Sequence, residues 1–169
     1  MISEKSLIDL YRRVYSYPRL VKSLKIVETV SVIIIGAIFA YAIILLAIFE
    51  EYLSLVKLLT FSGIPFLSIG LVRSLINAQR PYDLFLIDEL EQLRRSKKEG
   101  NSFPSRHVFS AFLIGTLWMI YSIPLGAIAL FFGAYLAVER VLLGIHFVKD
   151  VVAGAVIGTI SGAVGILIW

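Results

Sequence analysis

Two histidines, His107 and His146, and no cysteine are present in the chain, so nucleophilic or acid–base chemistry falls to imidazoles and carboxylates. His146 and Asp150 stand four residues apart, which on a helix puts them on one face. There the carboxylate can accept from one ring nitrogen and leave the other free to attack. Arginines cluster around them: Arg73 and Arg80-Pro81, Pro104-Ser105-Arg106-His107, and Glu139-Arg140. A guanidinium stays charged and presents a fork of donors that matches phosphate oxygens. Several of them converging would neutralise a phosphomonoester and stabilise the charge that develops during phosphoryl transfer. Pro104 suits the first turn of a helix, so the amides of Ser105, Arg106 and His107 are expected at a helix N-terminus, aimed at an anion. A histidine nucleophile oriented by an acid follows the logic of a catalytic triad with phosphorus as the electrophile. His107 then supplies the general acid for the leaving oxygen and afterwards the general base for water.

Each group also has a plainer explanation. Arginines at the ends of apolar spans serve as interfacial anchors, and Arg94, Arg95, Lys97 and Lys98 are assigned that role. Asp150 alone could merely favour a helix start. Neither explanation accounts for four clusters falling on one side of the chain's topology. Glu139 is read as a partner for a nearby arginine. The absence of cysteine removes thiolate catalysis and Cys-ligated zinc, and two histidines are too few for a multi-histidine metal site, so neither metal nor cofactor is implied.

These residues have to be positioned by membrane helices. Of 169 residues 59% are hydrophobic and 17% charged, with a mean hydropathy of +0.88, far from the composition of soluble domains. Residues 29–49 form an uncharged run long enough to cross a bilayer. Further spans are expected at 53–72, 108–121, 125–138 and 147–169, the third and fourth joined by the tight turn at 122–124. Residues 4–25 alternate apolar and basic positions, as a helix lying in the headgroup layer does, and 84–98 read as a second short amphipathic helix. The expected architecture is all-α, a polytopic bundle of about five spans forming one domain over 1–169, with a basic amphipathic segment at 1–28 and the bundle at 29–169. Gly154, Gly158 and Gly162 line one face of the last span, a ridge that lets helices approach closely inside one chain or in a homo-oligomer. Fifteen of the sixteen Lys and Arg residues fall on the side of the N-terminus and the polar loops, against Lys57 on the other. With Arg73, Arg80, Arg106 and Arg140 set aside as functional, the ratio is still eleven to one, which places the polar loops in the cytoplasm of a multi-pass cell-membrane protein. The basic residues flank apolar spans, so anionic lipid rather than nucleic acid is the expected partner.

Arg73-x6-Arg80-Pro81, Pro104-Ser105-Arg106-His107 and Arg140-x5-His146-x3-Asp150 resemble the three signature motifs of the type 2 phosphatidic acid phosphatase (PAP2) superfamily. The resemblance implies a PAP2/haloperoxidase-like helical fold and a metal-independent lipid phosphatase working through a phosphohistidine. It implies His146 as nucleophile, Asp150 as its orienting acid and His107 as proton donor, with Arg73, Arg80, Ser105 and Arg140 as phosphate ligands. Three positions depart from the family pattern. Arg73 stands where lysine is usual, Glu139 where serine is usual, and Arg106 where glycine is usual. Arg106 keeps an amide for phosphate while adding bulk or a further cation. Many members have six spans and an active site outside the cell, whereas five spans and a cytoplasmic site are expected here.

The function expected is hydrolysis of a membrane lipid phosphate: phosphatidate, phosphatidylglycerol phosphate or a polyprenyl (di)phosphate, the substrate being a phospholipid or an isoprenoid phosphate in the bilayer. The competing reading is a small anion or phosphate-ester transporter using the same arginines. The near absence of ionisable groups from mid-span stands against it.

Overall fold

Residues 4–48 fold as two helices whose break falls at Ser16-Tyr17, earlier than the boundary expected near residue 28. Helix α1 covers Glu4–Tyr15 and α2 covers Pro18–Ile48. Pro18 opens α2, where a proline's fixed φ and missing N–H cost nothing. Residues 18–28 are therefore the first turns of a 31-residue helix and not part of a separate interfacial segment. Helix α1 is also more than a headgroup anchor. Tyr11 and Val14 on its apolar face are buried against Tyr82, Phe85, Leu90 and Ile145, which pins α1 to the polar end of the bundle.

The computed structural model describes residues 4–168, all of its regular elements being helical; Trp169, at the end of the last expected span, lies outside the described residues. After α2 come α3 (Tyr52–Ile76), the short α4 (Pro81–Leu84) and α5 (Asp88–Ser96), then α6 (Arg106–Trp118), α7 (Ile123–Leu142) and α8 (Val148–Ile168). Among the described residues four stretches are long and apolar enough to cross a membrane: α2, the stretch Tyr52–Leu84 that contains α3, α7 and α8.

The span expected at 108–121 is α6, which has 13 residues, about 20 Å of rise, and is shorter than those four. Eight of its residues are buried, so it is enclosed by the other helices, which turn side chains outward. Its first end is bonded to the start of α8, where the Ser105 amide donates to the Asp150 carbonyl at 2.9 Å. At its far end Trp118 stacks on Tyr41 of α2, ring centroids 6.0 Å apart. Around this central post the long helices turn apolar side chains such as Ile33, Leu67, Phe131 and Ile160 outward, as a lipid-embedded bundle requires.

The glycine ridge of α8 is used against this post. A Cβ at Gly154 would lie 2.6 Å from the Ser105 carbonyl oxygen and one at Gly162 2.7 Å from Thr116 Cβ, while Gly158 faces the Phe109 carbonyl. Backbone meets backbone there, and the small residues are what allow it. The face expected to be available for a homo-oligomer is thus filled inside the chain.

Candidate active site

The turn between α7 and α8 brings two of the clusters together. Gly144, at φ +69°, takes a left-handed conformation that suits glycine and ends α7; a Cβ there would also come within 2.9 Å of Leu90. The chain then folds back so that the amides of Ile145 and His146 both donate to the Arg140 carbonyl, at 3.0 and 3.1 Å. Arg140 and His146 are therefore neighbours because of the turn, not because of helical spacing. Asp150 follows in the first turn of α8 and its Oδ2 accepts the Phe147 amide at 3.0 Å. That is the helix-start role a lone aspartate would have, and the same oxygen also faces His146.

His146 is 2% exposed and Asp150 fully buried. Their Nδ1 and Oδ2 atoms are 3.6 Å apart, and beside both sits the fully buried Ser102. The Ser102 hydroxyl donates to Asp150 Oδ2 and lies 3.3 Å from His146 Nδ1. With its single proton given to the carboxylate, that hydroxyl can only accept from the imidazole, which fixes the neutral ring as the Nδ1–H tautomer and leaves the Nε2 lone pair free. Burial pushes the His146 imidazole down to about 4, the Arg80 and Arg140 charges acting the same way and Asp150 opposing them. The ring is neutral at physiological pH, the state a nucleophile needs.

The arginines are held by the loop preceding α6. Arg73 donates from Nη1 to the Pro104 carbonyl and from Nη2 to that of Asn101. Arg80 donates from Nε to the Gly100 carbonyl at 2.8 Å. Asp83 ties the same loop from below, accepting the amides of Arg80 and Gly100 at 2.9 Å each. Each guanidinium keeps further N–H groups for an anion. Arg140, 3% exposed, donates from Nη2 to Glu28 of α2, and its Nε lies 3.5 Å from Glu139. Glu139 is thus next to the arginine, as expected, but the closer partner is Glu28, which sequence reasoning did not single out.

Arg73, Arg80, Arg106, His107, Arg140 and His146 line one cavity of about 260 Å³. Lys97 and Lys98 line it too, which corrects their assignment as simple anchors; burial lowers the Lys97 ammonium, with Arg140 adding to the effect. Two expected site residues do not line it. Asp150 stands behind His146, and Ser105 is buried with its amide already given to Asp150 and its hydroxyl without a hydrogen-bond partner. Pro104 precedes the helix and does not form its first turn, so the free amides at the α6 N-terminus begin at Arg106 and His107.

Arg106 and His107 also line a second cavity of about 260 Å³, walled by Val32, Ile35, Phe66 and Leu136. That one shares Phe66, Ser110 and Ile114 with a third, of about 330 Å³, reaching Phe39 and Leu59. Arg106 and His107 are therefore a wall common to a polar chamber and an apolar groove between α2, α3 and α6.

Comparison with known proteins agrees with this arrangement. The profile of the PAP2 superfamily matches residues 51–169, and the chain belongs to that superfamily. Its fold is similar to that of LpxE from Aquifex aeolicus, with a TM-score of 0.68 and 23% identity over 95% of this chain and 94% of that one. It is also similar to the transmembrane PAP2-type phosphatidylglycerolphosphate phosphatase of Bacillus subtilis, with a TM-score of 0.64 and 20% identity over 98% and 85%. Among curated proteins none matches the chain.

Proposed function

We propose that this PAP2-superfamily chain hydrolyses a phosphate ester carried on a membrane lipid, without a metal ion, through a phosphohistidine at His146. The observation that carries the reading is the adjacency of two chambers: a cavity lined by both histidines and the arginines shares Arg106 and His107 with an apolar groove suited to an acyl or prenyl tail. In the first step His146 Nε2 attacks phosphorus in line, the P–O bond to the lipid breaks, and His107 protonates the departing oxygen. Arg73, Arg80 and Arg140, with the amides of Arg106 and His107, hold the non-bridging oxygens. Positive charge that develops on the His146 ring is stabilised by the Asp150 carboxylate, whose Oδ2 lies 3.6 Å from Nδ1. In the second step His107 takes a proton from water as its oxygen attacks phosphorus, the O–P bond forms, the N–P bond to His146 breaks, and inorganic phosphate leaves. Ser105 positions the α6 terminus against α8 in this scheme and does not hold phosphate through its amide.

Phosphatidate, phosphatidylglycerol phosphate and polyprenyl phosphates all have the required combination of anion and tail. The fifteen-to-one distribution of basic residues favours a cytoplasmic site in the cell membrane. Because the chain has no cysteine, a single Arg95→Cys can be labelled in intact cells; reaction with an impermeant probe from outside contradicts that orientation. The activity is tested by release of inorganic phosphate from lipid phosphates in detergent micelles with EDTA present. Turnover that survives chelation and is abolished in His146→Ala is expected. Turnover that disappears with EDTA, or persists in His146→Ala, contradicts the mechanism.

A further inference from the structure

Three of the four arginines at the site are tied down: Arg73 and Arg80 to carbonyls of the 100–104 loop, Arg140 to Glu28. Arg106 is different. It is exposed, it enters no ion pair among the described residues, and its guanidinium lies 5.6 Å over the Phe66 ring. A cation–π contact of this kind is weaker than a charge-assisted pairing with phosphate, so Phe66 parks the charge without committing it.

The position of that charge matters because of the direction of the reaction. In the proposed reaction His107 protonates the leaving oxygen, and His107 and Arg106 both line the apolar groove as well as the polar chamber. Arg106 therefore stands beside the leaving-group side of the site. There is also a surplus of charge. With Arg140 met by Glu28 and Glu139, Arg73, Arg80, Lys97, Lys98 and Arg106 still put five cations around the chamber, whereas one phosphomonoester carries about −1.5 to −2 at neutral pH.

Resting on the phosphatase reading above, we propose that Arg106 reads a second phosphate on the leaving-group side, so that the preferred substrate carries two phosphates at its head. A lipid diphosphate has them bridged directly; a phosphomonoester joined to a phosphodiester by a short polyol has them a few bonds apart. For a diphosphate, the His146 Nε2–P bond forms, the bridging P–O bond breaks and its electron pair stays on the departing lipid monophosphate. That charge is balanced by Arg106, and such a leaving group depends less on a proton from His107 than an alkoxide does.

The test compares substrates matched in tail, using the full chain in detergent micelles: geranylgeranyl diphosphate against geranylgeranyl monophosphate, and phosphatidylglycerol phosphate against phosphatidate. For wild type, kcat/KM is expected to favour the member with two phosphates in at least one pair, and that pair identifies the spacing Arg106 recognises. In Arg106→Gly and Arg106→Gln the ratio is expected to fall by about tenfold or more, with Arg106→Lys recovering part of it. A ratio unchanged in both variants, or a wild type favouring the single phosphate in both pairs, overturns the proposal while leaving the phosphatase reading intact. No turnover of any of the four substrates overturns that reading and this one with it.

Discussion

The imidazole Nδ1 of His146 and the carboxylate Oδ2 of Asp150 stand 3.6 Å apart, and the hydroxyl of Ser102 lies beside both, donating to the carboxylate and facing the ring at 3.3 Å. Acid and hydroxyl therefore hold the nucleophile together. Ser102→Ala should lower kcat by about ten- to a hundredfold, or about 1.4–2.8 kcal/mol, with little change in KM because the phosphate ligands remain. Ser102→Thr keeps the hydroxyl and should recover part of the loss. A Ser102→Ala enzyme with wild-type kcat contradicts this role for the hydroxyl.

Arg73 occupies a position where its superfamily usually has lysine, and its contacts give a reason. One planar guanidinium reaches the carbonyls of Asn101 and Pro104 together, a geometry that an ammonium on a flexible stem does not reproduce. Arg73→Lys should keep the charge but loosen the loop that carries Ser102 and leads into α6. We expect kcat/KM to fall by about tenfold or more, with faster amide exchange across residues 99–105. Full activity in Arg73→Lys means that charge alone matters at this position.

Glu28 joins α2 to the catalytic end of α7 through Arg140. Glu28→Gln should cost about 1.5–3 kcal/mol of stability, the range for a hydrogen bond to a charged group, and raise KM by freeing the guanidinium. Thermal unfolding in detergent and steady-state kinetics read the two effects separately. Unchanged values of both would show that Glu139 suffices as the partner.

The buried His146 links stability to acid. Its folded-state pKa, about 4, lies below the ordinary value of 6.5. As pH falls from about 6.5 toward 4, the unfolded chain takes up a proton that the folded one refuses, so stability present above this window is lost across it, by up to about 3 kcal/mol. His146→Asn lacks the titration. The Tm of wild type should therefore drop more steeply than that of the variant between pH 7 and pH 4.5. Parallel curves contradict a buried neutral imidazole.

Much of this arrangement is legible in the sequence because it follows from local rules. Apolar runs of membrane length mark α2, α3, α7 and α8. His146 and Asp150 do meet, but not on one helical face as the i, i+4 spacing suggests: His146 lies in the turn before α8 and Asp150 in its first turn. What periodicity could not give is context. Helix α6 reads as one more lipid-facing span by composition, whereas the other helices enclose it. The glycine ridge suits a second chain equally well by its spacing, and only the fold places α6 against it. Ser102 carries no signal of its own, since its role depends on a fold-back that brings position 102 beside 146 and 150. Glu28 likewise meets Arg140 across 112 positions. The pairing of Ser105 with Asp150 through their backbones is invisible to any pattern of side chains.

The decisive measurement is to trap the phosphorylated enzyme. Brief reaction with a lipid substrate labelled in its terminal phosphate, quenched in base, should leave an acid-labile, base-stable label on the peptide containing His146. The label should be absent from His146→Asn and should accumulate in His107→Ala when the leaving group needs no proton. Label on another residue, or hydrolysis that continues in His146→Asn, contradicts the role given to this imidazole.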